Sequence, residues 1–168
     1  MAPVARDIDK ALIRVTRIDH RVPDDARELH AIQMAAYRQE AALLGAIRSP
    51  PLEHTVADIA RSTEDFLGAY IAETLVGALS TCRDEEDPGI GIASLVVSPA
   101  HQRRGVARAL VSTAIGQHVG VGITVQTAAG NAPALALDAG LGFRECRRWR
   151  VDDPPIELVK LRRPAVGR

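Results

Sequence analysis

The chain has 168 residues, 46% of them hydrophobic and only 3% aromatic, with 21 basic residues set against 21 acidic ones. The length suits one domain with a sizeable core, and the composition excludes a disordered chain. A net charge of zero excludes general attraction to nucleic acid or anionic membrane, and so few aromatic side chains argue against base stacking. Cys82 and Cys146 lie far apart and have no partner at metal spacing, so they read as buried free thiols in a reducing compartment. His20, His30, His54, His101 and His118 show no ligand spacing either, and no metal is expected. The amino-terminal MAPVARDIDKALIRV lacks the apolar run of a signal peptide, and nowhere are there about 18 consecutive apolar residues to span a membrane. The expectation is a soluble, cytoplasmic protein without a membrane or DNA partner.

Residues 1–10 read as a loose lead-in. Ala11 to Ile18, ALIRVTRI, sets Leu12 and the other apolar side chains between polar ones and predicts a first strand. Pro23, Asp24 and Asp25 give a turn and an acidic helix start, and Leu29, Ile32, Ala36 and Leu43 recur near helical spacing. The prediction is a long amphipathic helix over 26–44 that ends near Gly45. Pro50–Pro51 marks a break, because proline suits neither a helix interior nor a central strand. Thr55 to Asp58 carries a capping signal for a short helix through Arg61. Phe66 to Glu73 and Leu75 to Arg83 are strand-like runs parted by Thr74, which reads as a β-hairpin. The acidic run Asp84 to Asp87, followed by Pro88 and Gly89, reads first as a solvated turn and second as a loop for a cation or a substrate amine.

The stretch from Ile90 to Val111 organises the rest. Ile92, Leu95, Val96 and Val97 suit a strand covered on both faces, and Pro99 stops the ladder because it has no N–H to donate. Gln102, Arg103, Arg104, Gly105, Val106 and Ala107 then open a helix reaching His118, with Val106, Leu110, Ala114 and Val119 on one face. A helix start presents unpaired N–H groups and the positive end of the helix dipole, and Arg103, Arg104 and Arg108 add formal charge there. On the residues alone this is a candidate pyrophosphate cradle. Val121 to Thr127 predicts another buried strand, and 132–141 a short helix with Pro133 in its first turn and Gly142 at its end. Strands over 143–151 and 156–162 complete the order. The result is a single domain over 1–168, with 164–168 as a tail: an α/β fold with a central mixed sheet and helices on both faces.

These residues also resemble a known family. Gln102-Arg103-Arg104-Gly105-Val106-Ala107 matches the Q/R-x-x-G-x-G/A signature of the GCN5-related N-acetyltransferases, the GNAT family, and it follows a hydrophobic strand ending Leu95-Val96-Val97-Ser98-Pro99. Asn131, Ala134, Leu137 and Gly142-Phe143 match the family's second motif. The element order resembles the family over about residues 11 to 162.

The resemblance implies a GNAT-like acyl-CoA N-acyltransferase fold and acetyl-CoA, or another short acyl-CoA, as co-substrate. The pyrophosphate would sit on N–H groups from Arg103 to Arg108, with Gly105 letting the backbone come close. Strands Ile90–Val97 and Val121–Thr127 would splay apart, and the pantetheine arm would bond like an added strand near Leu95 and Val97. Val96 lies in the same run, and Asn131 would touch the pantetheine, or serve as a plain helix cap. The implied reaction is direct attack of a primary amine, on a small molecule or a protein, without an acyl-enzyme.

The sequence departs from the family at two positions. Ser94 stands where a glutamate often serves as base, and Asp138 where a tyrosine often reprotonates the thiolate. Either water or another residue moves the protons, or Asp138 faces solvent and catalysis has weakened. Tyr70 is an alternative donor beside a core-packing role. Glu40 and Glu73 are carboxylates that could meet the amine, with a surface position as the default. The helix carrying Tyr37, Glu40 and Leu43–Leu44 would border the acceptor groove. Rival readings are a catalytically weak acyl-CoA-sensing module, and an acetyltransferase acting on a protein or aminoacyl-tRNA. A homodimer through sheet or helix edges is implied by resemblance alone.

Overall fold

A computed structural model of the chain describes residues 12–45, 53–153 and 155–166. The break expected at Pro50–Pro51 and the lead-in over 1–10 lie outside them. In chain order the elements are β1 (Ile13–Ile18), α1 (Pro23–Leu44), α2 (Val56–Arg61), β2 (Asp65–Ile71), β3 (Thr74–Arg83) and β4 (Ile90–Val97). A 3-10 turn (Pro99–His101) leads to α3 (Val106–Gln117), β5 (Ile123–Ala128), α4 (Ala132–Gly140), β6 (Arg144–Asp152) and β7 (Pro155–Arg163). The seven strands form one mixed sheet in the order β1-β2-β3-β4-β5-β7-β6, and only β4 and β5 run parallel.

Local chemistry sets the element ends. Proline takes the first turn of α1, whose start therefore precedes the expected Ala26, and Gly45 closes the helix in the left-handed region at φ 67°. Thr55 and Asp58 form the full capping box of α2: the Thr55 side chain accepts from the Asp58 N–H, and Asp58 accepts from Thr55. The hairpin turns at Ala72–Glu73 rather than at Thr74, which begins β3, and Ala72 takes φ 52°. Leu12 falls outside β1 and is exposed, so it does not take the inward position expected of it.

Apolar side chains alternate across β2 and β3 to feed two cores. Phe66 and Ala78 join Ile18, Leu29, Ile32, Ile59 and Val96 beneath α1 and α2. Leu67 and Leu79 join Val106, Leu110, Val111, Ile123, Phe143 and Val159 beneath α3. The predicted face of α3 holds at Val106, Leu110 and Ala114, whereas Val119 lies past the helix end and is exposed. A Cβ on Gly77 would come within 2.6 Å of Val106 Cγ1 and 3.1 Å of Leu110 Cδ1. The absent side chain lets the first turn of α3 sit directly on β3. The edge strand β6 is mostly exposed and rich in arginine, which blunts it against further pairing.

Two further expectations are corrected. Cys82 and Cys146 are free but exposed, because Cys82 lies near the end of β3 past its helical cover and Cys146 sits on the edge strand. The acidic loop after β3 is a solvated turn only in part: Glu85 and Glu86 are exposed, whereas Asp84 and Asp87 are drawn in. The Asp84 carboxylate accepts from the N–H groups of Glu86 and Asp87, both at 2.8 Å, and from the Thr124 hydroxyl. The loop folds onto Lys160 of β7, whose ammonium lies 3.2 Å from Asp84, 2.9 Å from Glu86 and 3.0 Å from Asp87.

Candidate active site

The centre of the sheet opens at one place. β4 pairs with β3 along its length, but the extra residue Ala93 makes a bulge between Ile92, opposite Thr81, and Ser94, opposite Ser80. Pairing between β4 and β5 spans only Ile90↔Ile123, Gly91↔Thr124 and Ile92↔Val125, and stops at the same bulge. β5 continues instead alongside β7 to Ala128. The β5-facing edge of β4 from Ala93 to Val97 is therefore left without a strand partner, although its residues lie in the middle of the sheet. Backbone N–H and C=O groups there can bind an extended chain. Of the three residues expected along this edge, Val96 turns its side chain into the core, while Leu95 and Val97 are half-buried.

The amino end of α3 follows that edge. The structure starts the helix at Val106, later than the expected Gln102, because Pro99–His101 forms a separate turn and Gln102 is extended. Gly105 caps the helix at φ 85°, and Arg103 takes φ 61°, a conformation that costs a non-glycine residue about 1 kcal/mol. The helical ladder begins with the Ala109 N–H on the Gly105 carbonyl at 3.0 Å. The N–H groups of Val106, Ala107 and Arg108 thus have no acceptor within the helix. The Val106 side chain itself is buried. Arg103 and Arg104 are exposed beside this end, while the Arg108 guanidinium lies 3.4 Å from where a Cβ on Gly140 would stand, against the last turn of α4.

Helix α1 crosses above the opening. Gln39 and Gln102 exchange side-chain hydrogen bonds of 3.3 and 2.5 Å. The Tyr37 phenol is pushed up to about 12 by burial, with a hydrogen bond to Ser94 pulling the other way. Ser94 in turn lies 2.6 Å from the Oγ of buried Ser80. Burial also raises the Glu40 carboxyl, opposed by a hydrogen bond to Asn131. Asn131 caps α4 as well, accepting from the Ala134 N–H at 3.2 Å. Glu40 is therefore a half-buried member of this wall rather than a surface residue, whereas Glu73 is exposed at the hairpin turn. Tyr37 shares the sheet-facing stripe of α1 with Leu29 and Gln33, four residues apart, and that spacing was the signal for its position.

Of the candidate proton carriers, Ser94 is half-buried at the bulge, Asp138 is buried, and Tyr70 is not at this place. Asp138 is 3% exposed, and burial alone raises its carboxyl to about 6. Among the described residues none donates a hydrogen bond to that carboxyl. Its solvent-facing reading is thereby excluded, since α4 turns it inward beside Phe143, whose N–H bonds the Asp138 carbonyl at 3.0 Å. Tyr70 pairs with Arg14 of β1, whose guanidinium lies 4.8 Å from the ring centre, and burial, Asp25 and Glu28 raise its phenol. It belongs to the far side of the sheet order, with β3 between its strand and β4. His20 bonds the Ser62 carbonyl at 2.8 Å and His30 the His54 carbonyl at 2.9 Å, structural roles as expected.

The interrupted parallel strand pair, with a helix amino end at its mouth, offers an extended chain and an anion one continuous groove. A model described as the Acetyltransferase (GNAT) family matches residues 26–143, and the chain belongs to that family. The UPF0157 protein YqkA of Bacillus subtilis (strain 168) is 33% identical over 129 residues, 76% of this chain and 37% of that protein. The chain thus spans little more than a third of that relative's length. Among solved structures, YncA from Salmonella typhimurium with its cofactor acetyl-CoA superposes with a TM-score of 0.71 at 16% identity, covering 94% of this chain and 96% of that one. The ribosomal-protein-S18-alanine N-acetyltransferase from Escherichia coli gives 0.66 at 17% identity, over 92% and 96%. At those identities the two structures speak for the fold.

Proposed function

We propose that the chain transfers an acetyl group from acetyl-CoA to a primary amine by direct attack. The observation that carries this reading is the bulge at Ala93, where β4–β5 pairing stops and leaves a bonding edge that leads to three N–H groups of α3 without an acceptor inside the helix. The residues fit acyl-CoA on chemistry: the N–H groups of Val106, Ala107 and Arg108, with Arg103 and Arg104 beside them, suit a pyrophosphate, and the edge from Ala93 to Val97 suits an amide-bearing arm. Acyl-CoA would supply an activated thioester carbonyl. A backbone N–H of the same edge would stabilise negative charge developing on the carbonyl oxygen.

An alkylammonium with a pKa near ~10.4 must lose a proton before it attacks. Ser94 cannot take it unaided; its hydroxyl, bonded to Ser80 and Tyr37, orients polar groups at the bulge. Asp138, raised to about 6 by burial, keeps roughly a tenth of its population protonated at pH 7, so it can give up a proton where an ordinary aspartate cannot. This favours a working enzyme over a sensing module. The test is thiol release from acetyl-CoA across small amines, peptides and tRNA. If acetyl-CoA raises the melting temperature but no acceptor releases CoA, the sensing reading replaces this one.

A further inference from the structure

We infer that the acceptor is a small amine carrying a second cationic group, bound in the cavity beneath the acidic loop; this rests on the transfer reading above. The cavity has a volume of about 1230 Å³ and is floored by β4 and β5 where they part: Ile92 and Ala93 on one strand, Val125 and Gln126 on the other. The strand edge proposed for the acyl arm and the floor of the cavity thus share the bulge. The cavity opens onto the place where an incoming amine has to arrive. Its volume exceeds the roughly 300–1,000 Å³ of ordinary small-molecule sites, enough for an elongated acceptor.

The walls decide the chemistry. Glu64, Asp84, Glu85, Glu86 and Asp87 line the cavity, against Arg83 and Lys160. Lys160 is consumed by Asp84, Glu86 and Asp87, and Arg147 by Glu86 at 2.6 Å, while among the described residues no cation bonds Glu64 or Glu85. Glu64 lines the cavity beside Cys82, and its charge helps raise both the Cys82 thiol and the Tyr37 phenol. In a chain of zero net charge the lining is net negative, five carboxylates against Arg83 and Lys160, and that local field draws in cations and turns away carboxylates. One ammonium only would be lost as it reacts, since the attacking amine is neutral. A second, unreacting ammonium keeps the attraction through the transition state.

The test pairs calorimetric binding with steady-state thiol release, using 1,4-diaminobutane, spermidine, butylamine, 4-aminobutyrate and a lysine-rich peptide. For the wild type we expect KM for the diamines about tenfold below that for butylamine, and 4-aminobutyrate to be the poorest small acceptor. Glu64→Gln and Glu85→Gln together should close that gap, chiefly in KM, and abolish diamine binding heat while leaving acetyl-CoA affinity unchanged. Raising the salt concentration should weaken diamines and spare butylamine. Equal KM values for butylamine and 1,4-diaminobutane, an unaltered preference in the double variant, or the lysine-rich peptide outcompeting every small amine would each overturn the inference and leave the transfer reading intact. Absence of acetyl-CoA binding together with absence of turnover would remove the transfer reading and this inference with it.

Discussion

Asp138→Asn is the most informative single change. Asp138 is 3% exposed, its carboxyl accepts no hydrogen bond among the described residues, and burial raises that carboxyl to about 6 from the ordinary 3.8. Because the folded pKa is the higher one, the folded state holds the proton more tightly. Stability from this group is therefore full below pH 3.8 and is lost as pH rises through 6. The gap between the two values corresponds to about 3 kcal/mol withheld from folding at pH 8. Asparagine keeps the shape and never ionises. The variant should be more stable than the wild type at pH 8 by up to about 3 kcal/mol, a rise in Tm of roughly 5–10 °C, and nearly equal to it at pH 4. Urea or thermal unfolding of both proteins from pH 4 to pH 8 reads this directly. Thiol release should move the opposite way, with kcat falling by about tenfold or more because the transferable proton is gone, and acetyl-CoA affinity unchanged. A variant no more stable at pH 8 than the wild type would refute the burial of the Asp138 carboxyl. Gained stability with full activity would refute its part in the chemistry.

Further changes probe the rest of the site. Gly105→Glu should abolish the stabilisation of the protein by acetyl-CoA, since it places bulk and negative charge at the amino end of α3 on a residue held at φ 85°; unchanged affinity sinks the cradle. Gly77→Val should cost about 2 kcal/mol or more in chemical denaturation and weaken acetyl-CoA binding, because its Cβ meets Val106 at 2.6 Å and must push α3 off the sheet. Lys160→Met should destabilise by roughly 3–5 kcal/mol at neutral pH, leaving the buried Asp84 carboxylate without its cation, and the deficit should shrink as acid protonates the loop. Tyr37→Phe should lower kcat while Tyr70→Phe leaves it unchanged, which thiol-release kinetics separates.

What could be read before any tertiary structure was in view depends on local chemistry. Gly45 and Gly142 at positive φ, the Thr55–Asp58 box and the proline-led start of α4 act within a turn of their own position and are legible there, whereas Pro23, which reads as a turn, opens α1. The helix start at 105–108 was legible for the same reason, although the separate turn at Pro99–His101 was not. Registers and faces were less so. Leu12, Val119 and the cysteines stand exposed despite their apolar character, because burial depends on which element covers a residue.

The acid chemistry divides along the same line. Ser94 and Asp138 were visible in the sequence as departures from a family pattern, and neither their burial nor their partners were. Ser80 meets Ser94 only through the bulge, which needs β3 and β4 paired with one residue to spare. Tyr37 and Glu40 reach Ser94 and Asn131 only because α1 packs across the sheet. The acidic run Asp84 to Asp87 reads as a surface loop until Lys160, far along the chain on β7, is brought beneath it. Sequence by itself determined the phosphate-suited helix start, because a glycine cap and free N–H groups are short-range backbone properties. Tertiary structure alone decided where strand pairing ends, which carboxyl is buried and which carboxylates line one cavity, because desolvation and charge depend on distance in space.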